Sequence, residues 1–259
     1  MKSNITIGKS SDVGRARKIN EDAICILVNP GIRTGIDAFL VVADGMGGHN
    51  AGQTASTMAV EFLCGRYSDT SENEIVAELP ADLEGEADLL RSNIEQLNTE
   101  IYTHSFSSNN LNGMGTTLVA ALLTGDKLVV AHVGDSRAYS ISNNQIIQLT
   151  EDHSWVAEQI RKGLMQPEEA EVHPWRNMIS RAIGIQKEVS VDISKFNINK
   201  GDSIILCSDG LSSMVTEDEI LKILSENISP QTACENLVNM ANLRGGPDNI
   251  TIVVATRSV

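Results

Sequence analysis

Asp44 and Asp209 each close an apolar run with an Asp-Gly step, in FLVVADGMGGHNAG and in ILCSDGL. Asp135 follows LVVAHVG, Asp248 precedes the run ITIVV, and Glu21 and Asp22 stand in NED just ahead of another apolar run. One such carboxylate is ordinarily a turn former or a helix cap. Carboxylates at five strand ends ask for more. If those ends converge, the charges repel and hard divalent cations are the natural counter-charge. Oxygen donors without paired cysteines or a His-Glu-x-x-His helix favour magnesium or manganese over zinc. The glycines after Asp44 and Asp209 let the backbone, including the Gly45 carbonyl, approach a metal. Two such ions, roughly 3.5 to 4 Å apart, can polarise a bridging water and receive a phosphate oxygen.

The glycine-rich stretch invites a nucleotide reading as well, and fails it. A dinucleotide fingerprint starting at Gly45 needs glycine where Asn50 stands, and a P-loop needs a Gly-Lys-Ser/Thr ending that is absent there. Those loops also belong to parallel sheets with crossover helices.

The elements that must carry the carboxylates are of another kind. Apolar or β-branched runs at Ala23 to Val28, Phe39 to Ala43, Thr117 to Leu123, Leu128 to Val133, Ala138 to Ile141 and Gln145 to Leu149 predict strands, with further strands at Ser203 to Cys207 and Ile250 to Ala255. The short turns TGDK and SNNQ imply antiparallel pairing, so the middle of the chain reads as a meander. Helical stripes fall on either side of it. Ala55, Met58, Ala59, Phe62 and Leu63 form one, and Ile94, Leu97 and Ile101 another. Ile220, Leu221 and Leu224, then Ala233, Leu237 and Met240, mark a later pair. Grouped strands with helices outside them predict an α+β layered fold. The acidic stretch from Ser68 to Asp88 reads as a solvated loop or a helix extension.

The composition limits the partners. At 259 residues and 41% hydrophobic content the chain is expected to form one domain, and its net charge of −14 argues against nucleic acid or an anionic membrane as partner. No run reaches the roughly 18 apolar residues of a membrane span, and MKSNITIGKSSDVG lacks the apolar core of a signal peptide, so the cytoplasm is the expected location. Cys25, Cys64, Cys207 and Cys234 stand far apart in apolar surroundings and read as free core thiols, not as zinc ligands or disulfides.

Taken in order, SDVGRARKINED, ADGMGGHNAG, GMGTTL, VGDSR, TEDHS, HPWRNMISRAIG, CSDGL and GGPDNIT resemble the motifs of the metal-dependent protein phosphatases of type 2C, in their compact bacterial form, over essentially the whole chain. The resemblance implies a four-layer αββα sandwich, two antiparallel sheets flanked by helices, as one domain over 1–259 with a flap at about 153–177. It implies hydrolysis of phosphoserine and phosphothreonine in proteins by a hydroxide held between two metals, opposing a serine/threonine kinase, by a monomer. Residue by residue, Asp44 would bridge two manganese or magnesium ions, Asp209 and Asp248 would ligate the first, and the Gly45 carbonyl the second. Glu21 and Asp22 would act through metal-bound water, and Asp135 with Asp209 would hold a weaker third ion. Without the resemblance, Asp135 reads as a turn cap or as the partner of Arg137.

Arg17 matches the residue that clamps the substrate phosphate, a task suited to a planar guanidinium; read alone it is one surface charge of GRARK. The histidine that follows the Asp-Gly pair in many eukaryotic members is Met46 here, which cannot protonate a leaving alcohol. His49 or a metal-bound water is left as the candidate acid. Trp155, His173 and Trp175 fall in the flap, where aromatic side chains either contact a peptide or pack beneath it. Two rivals share the metal residues: a phosphatase of another small phosphomonoester, and a catalytically silent binding module on the same fold.

Overall fold

The computed structural model describes residues 5–30, 35–48, 50–68, 83–226 and 228–258. Its strands are β1 (Ile5–Asp12), β2 (Asp22–Val28), β3 (Ala38–Met46), β4 (Gly115–Thr116), β5 (Leu118–Thr124) and β6 (Lys127–Val133), then β7 (Arg137–Ser142), β8 (Gln145–Gln148), β9 (Asp192–Asn197), β10 (Ser203–Cys207) and β11 (Ile250–Arg257). The helices are α1 (Ala51–Tyr67), α2 (Leu83–Ser105), α3 (Trp155–Arg161), α4 (Pro167–Glu171), α5 (Asp209–Ser212), α6 (Glu217–Ser225) and α7 (Pro230–Leu243). One sheet runs in the order β2-β3-β5-β6-β9 with β4 beside the end of β3, the other in the order β1-β11-β10-β7-β8. All pairings are antiparallel.

Strand periodicity explains the four layers. On β3, Phe39, Val41 and Ala43 face α1 and α2, whereas Ala38, Leu40 and Val42 face the other sheet. On β10 and β11, Ile205, Cys207, Ile252 and Val254 meet α6 and α7, while Ile204, Leu206, Val253 and Ala255 fill the space between the sheets. A strand buried on both faces reads as an unbroken apolar run, since successive side chains point to opposite sides. The αββα sandwich expected from the sequence is the fold observed.

Four local expectations are corrected. The middle of the chain is not one meander: β5 and β6 form a hairpin in one sheet, β7 and β8 a hairpin in the other, and the chain crosses between sheets at Gly134, whose φ is +110°. Strands β1 and β9 were not foreseen. β1 is an edge strand that pairs along its whole length with β11, from Ile5 opposite Arg257 to Asp12 opposite Ile250. Finally, Cys25 of β2 and Cys64 of α1 are joined in a disulfide with Cα atoms 6.2 Å apart, because α1 packs across the outer face of β2 and β3. Cys207 and Cys234 are free and buried, as expected.

Between β8 and β9 lies the segment foreseen as a flap, carrying α3 and α4. Trp155 stacks on His173 at 4.9 Å between ring centroids and meets Trp175 edge-on at 4.8 Å, with Trp175 50% exposed. Of the acidic stretch, 69–82 lies outside the described residues, and Leu83 to Asp88 extends α2 at its start. His49 also lies outside the described residues.

Candidate metal centre

Strand register brings the first two carboxylates together. In the β2–β3 ladder Asp22 stands directly opposite Asp44, a like-charge pairing that a sheet does not favour on its own. The Gly45 amide donates to the Glu21 carbonyl at 3.1 Å. A Cβ on Gly45 would lie 2.2 Å from the Gly52 carbonyl oxygen, and one on Gly52 would lie 2.6 Å from Oε1 of Glu21. Those two glycines let the start of α1 press against the Asp-Gly step, which answers why ADGMGGHNAG is so poor in side chains.

Hydroxyls hold Asp44 by its backbone. Its amide donates to Thr117 Oγ1 at 3.1 Å, its carbonyl accepts from Thr116 Oγ1 at 2.9 Å, and Thr117 Oγ1 lies 2.7 Å from Ser136 Oγ, next to Asp135. Asp209 opens α5 just beyond β10, and Gly210 is required there because a Cβ would lie 1.9 Å from the Asn249 carbonyl oxygen. Ser208 Oγ donates to Asp22 Oδ2 at 2.8 Å. Asn249 staples the loop that carries Arg17: its Nδ2 donates to the Val13 and Ile19 carbonyls at 2.9 Å, and its Oδ1 accepts from the Glu21 amide at 2.8 Å. Arg17 Nη2 donates to Asp248 Oδ2 at 2.7 Å. Sequence reasoning gave no role to Thr116, Thr117, Ser136, Ser208 and Asn249. Their signal was available, as polar side chains beside strands that are otherwise apolar.

Asp135 is buried, and the alternative partner proposed for it is engaged elsewhere: Arg137 forks onto Asp152, Nε to Oδ1 at 2.9 Å and Nη2 to Oδ2 at 2.7 Å. The structure thus draws Asp22, Asp135, Asp209 and Asp248 into electrostatic range of Asp44, with Glu21 and Arg17 at Asp248. Removal from water, then repulsion from Asp22 and Asp209, raises the Asp44 carboxyl well above its ordinary value. Removal from water also raises Asp22 to about 6, against hydrogen bonds from Thr251 and Ser208, and raises Asp135 to about 7, with Asp209 adding to it. Glu21 and Asp209 shift upward for the same first reason.

Buried oxygens Glu21 Oε1, Asp22 Oδ1, Asp135 Oδ1 and Asp209 Oδ1 have no hydrogen-bond partner. Unpaired carboxylate oxygens in a ring that repels itself suit hard divalent cations, which take oxygen ligands and supply the missing charge. Elsewhere among the described residues, His132, His153 and Asp192 offer metal-capable atoms within 4.8 Å of one another.

The raised carboxyls predict a pH signature for metal-free protein. A carboxyl raised in the folded state contributes stability that is full below its unfolded value, about 4, and is lost as pH climbs through its folded value. In chelator, Asp135→Asn is therefore expected to melt close to wild type near pH 4 and several degrees above it at pH 8. Saturating manganese should reverse the order. Equal melting at every pH in chelator would show that Asp135 is not destabilised by its neighbours.

Comparison with known proteins adds an independent line. A family model described as Protein phosphatase 2C matches residues 15–243. The serine/threonine phosphatase Stp of Listeria welshimeri is 40% identical over 251 residues, covering 96% of this chain and 94% of that protein. Stp1 of Staphylococcus aureus superposes with a TM-score of 0.88 at 35% identity, covering 99% of this chain and 96% of that one. The catalytic domain of PstP, solved in complex with 2 manganese ions, superposes with a TM-score of 0.81 at 33% identity, covering 98% and 99%.

Proposed function

Since the chain belongs to the protein phosphatase 2C family and is a serine/threonine phosphatase, we propose that phosphoserine and phosphothreonine of kinase-modified proteins are hydrolysed at the carboxylate ring around Asp44. The observation that carries this reading is the set of buried, unpartnered oxygens on Glu21, Asp22, Asp135 and Asp209. Asp44 would bridge two manganese or magnesium ions, Asp209 and Asp248 would hold the first, and the Gly45 carbonyl the second. Glu21 and Asp22 would work through water, and Asp135 with Asp209 would hold a weaker third ion. When bound, the two core ions supply a polarised water and positive charge for the phosphoryl oxygens.

The chain's own side chains do the remaining work. Arg17, with its side chain 49% exposed, rests one N–H on Asp248 and keeps other donors for two phosphoryl oxygens of an incoming phosphoester. The Ser208 hydroxyl fixes one oxygen of Asp22, which leaves the other free to orient a water. A covalent cysteine route is disfavoured, because burial pushes the Cys207 thiol up to about 12. Met46 has no proton to give, so the leaving alcohol must take its proton from His49 or from water.

The deciding assay is hydrolysis of a phosphothreonine peptide in chelator, in manganese and in magnesium, with a small aryl phosphate in parallel. We expect no turnover in chelator, recovery with manganese, and a higher kcat/KM for the peptide. Turnover that persists in chelator would reject the metal reading. A preference for the small ester would favour a phosphomonoesterase of small molecules.

A further inference from the structure

Gly134 gives both of its backbone hydrogen bonds to one residue outside the ring of carboxylates. Its amide donates to Nδ1 of His153 at 3.0 Å, and its carbonyl accepts from the His153 amide at 3.0 Å. Gly134 itself cannot be replaced, since its φ is +110° and a Cβ would lie 2.6 Å from Thr117 Cβ. The next residue is Asp135. Beyond it, Ser136 is tied to Thr117, which also holds the Asp44 amide. The Asp135 backbone thus hangs between two anchors, with His153 on one side and Thr117 on the other.

His153 is 1% exposed and its ring stacks on His132 at 4.6 Å between centroids. Although His132, His153 and Asp192 are close enough to suggest a metal, their hydrogen bonds oppose it. Nδ1 of His153 accepts a hydrogen bond, so the neutral ring carries its own proton on Nε2, which lies 3.3 Å from Asp192 Oδ2 without forming a hydrogen bond to it. A metal on Nε2 would demand an imidazolate. Asp192 Oδ1 is also taken, by Arg181 Nη1 at 2.6 Å. Burial, with His132 and Arg181 nearby, lowers the His153 pKa to about 4, in keeping with a neutral ring.

We propose that His153 is a positioning residue for the phosphatase reaction: its Nδ1 fixes the Gly134 amide and so aims Asp135 at the third ion, while its backbone ties that turn to the root of the 153–191 segment. The same root is closed by the Ser180 amide on the His153 carbonyl at 2.8 Å and by the Ser154–Ile179 bridge. The inference rests on the reading of Asp135 as a ligand of the third ion, and its test separates the two.

Asparagine can place a carbonyl oxygen where Nδ1 stands, whereas glutamine can place an N–H where Nε2 stands. His153→Gln is therefore expected to cut kcat for a phosphopeptide about tenfold or more with KM unchanged, to raise the manganese needed for half-maximal rate, and to lose the weakest ion when free Mn(II) is titrated by electron paramagnetic resonance. His153→Asn should regain most of the rate and the full manganese count. Asp135→Asn serves as the reference. If it keeps wild-type rate and manganese count, the third-ion reading fails and the proposal with it. If it loses the weak ion while His153→Gln behaves as wild type, or while asparagine and glutamine lose activity alike with a normal manganese titration, the proposal alone fails. Amide exchange gives a check free of variants that do not fold: Gly134 should be strongly protected in the wild-type protein, and rapid exchange there overturns the proposal.

Discussion

Asp44→Asn is expected to lower manganese-supported phosphopeptide turnover by about three orders of magnitude or more, and at the same time to raise the melting temperature of the chelator-treated protein. Asp209→Asn should do likewise. Both effects come from one charge. With metal bound, the carboxylate holds the ions that the reaction needs; without metal, it is a desolvated charge facing Asp22, Asp209, Asp135 and Asp248. The fold should survive because Thr116 and Thr117 grip the Asp44 backbone, not its carboxylate. Turnover, circular dichroism and thermal melts with and without manganese measure all three. Near-normal turnover in either folded variant would sink the assignment of the ring as the reaction centre.

Arg17→Ala is expected to raise KM for a phosphopeptide about ten- to a hundredfold while leaving manganese affinity close to wild type. The guanidinium bonds Asp248, yet it is no ligand, and a half-exposed side chain can turn to a phosphate without moving the backbone. Lysine keeps the charge and loses the fork, so it should recover only part of the loss. The rival is a plain surface ion pair, worth little in solvent. Wild-type KM and kcat in the alanine variant would make Arg17 that rival.

What the sequence reveals depends on how local the cause is. Strands β3, β10 and β11 are buried on both faces, so their apolar runs mark them to within a few residues. Edge strand β1, ITIGKSSD, buries only Gly8 and carries Lys9, Ser10, Ser11 and Asp12, which leaves no run and no clean alternation to read. The hairpin turns of TGDK and SNNQ are local and were legible. Which sheet each hairpin joins is decided at Gly134, by a backbone angle that no neighbouring residue type announces. The carboxylates of the ring could be named one by one from their place at strand ends. Their convergence could not be derived from spacing, since it depends on the β2–β3 register and on Asn249 pinning a loop more than two hundred positions away. The link between Cys25 and Cys64 was hidden for the same reason: helix–sheet packing, and not sequence separation, makes them neighbours.

The full-length pairing of β1 with β11 also fixes where the chain enters and leaves the sandwich. Asp12 and Ile250 lie at the pole of the carboxylates, whereas Ile5 and Arg257 lie side by side at the opposite pole. Eight residues at a strand's rise separate the two poles by roughly 24 Å. The entrance and exit therefore share one doorway, turned away from the phosphoester. A reporter or tether attached beside Ile5 or Arg257 would leave a bulky phosphoprotein unobstructed access.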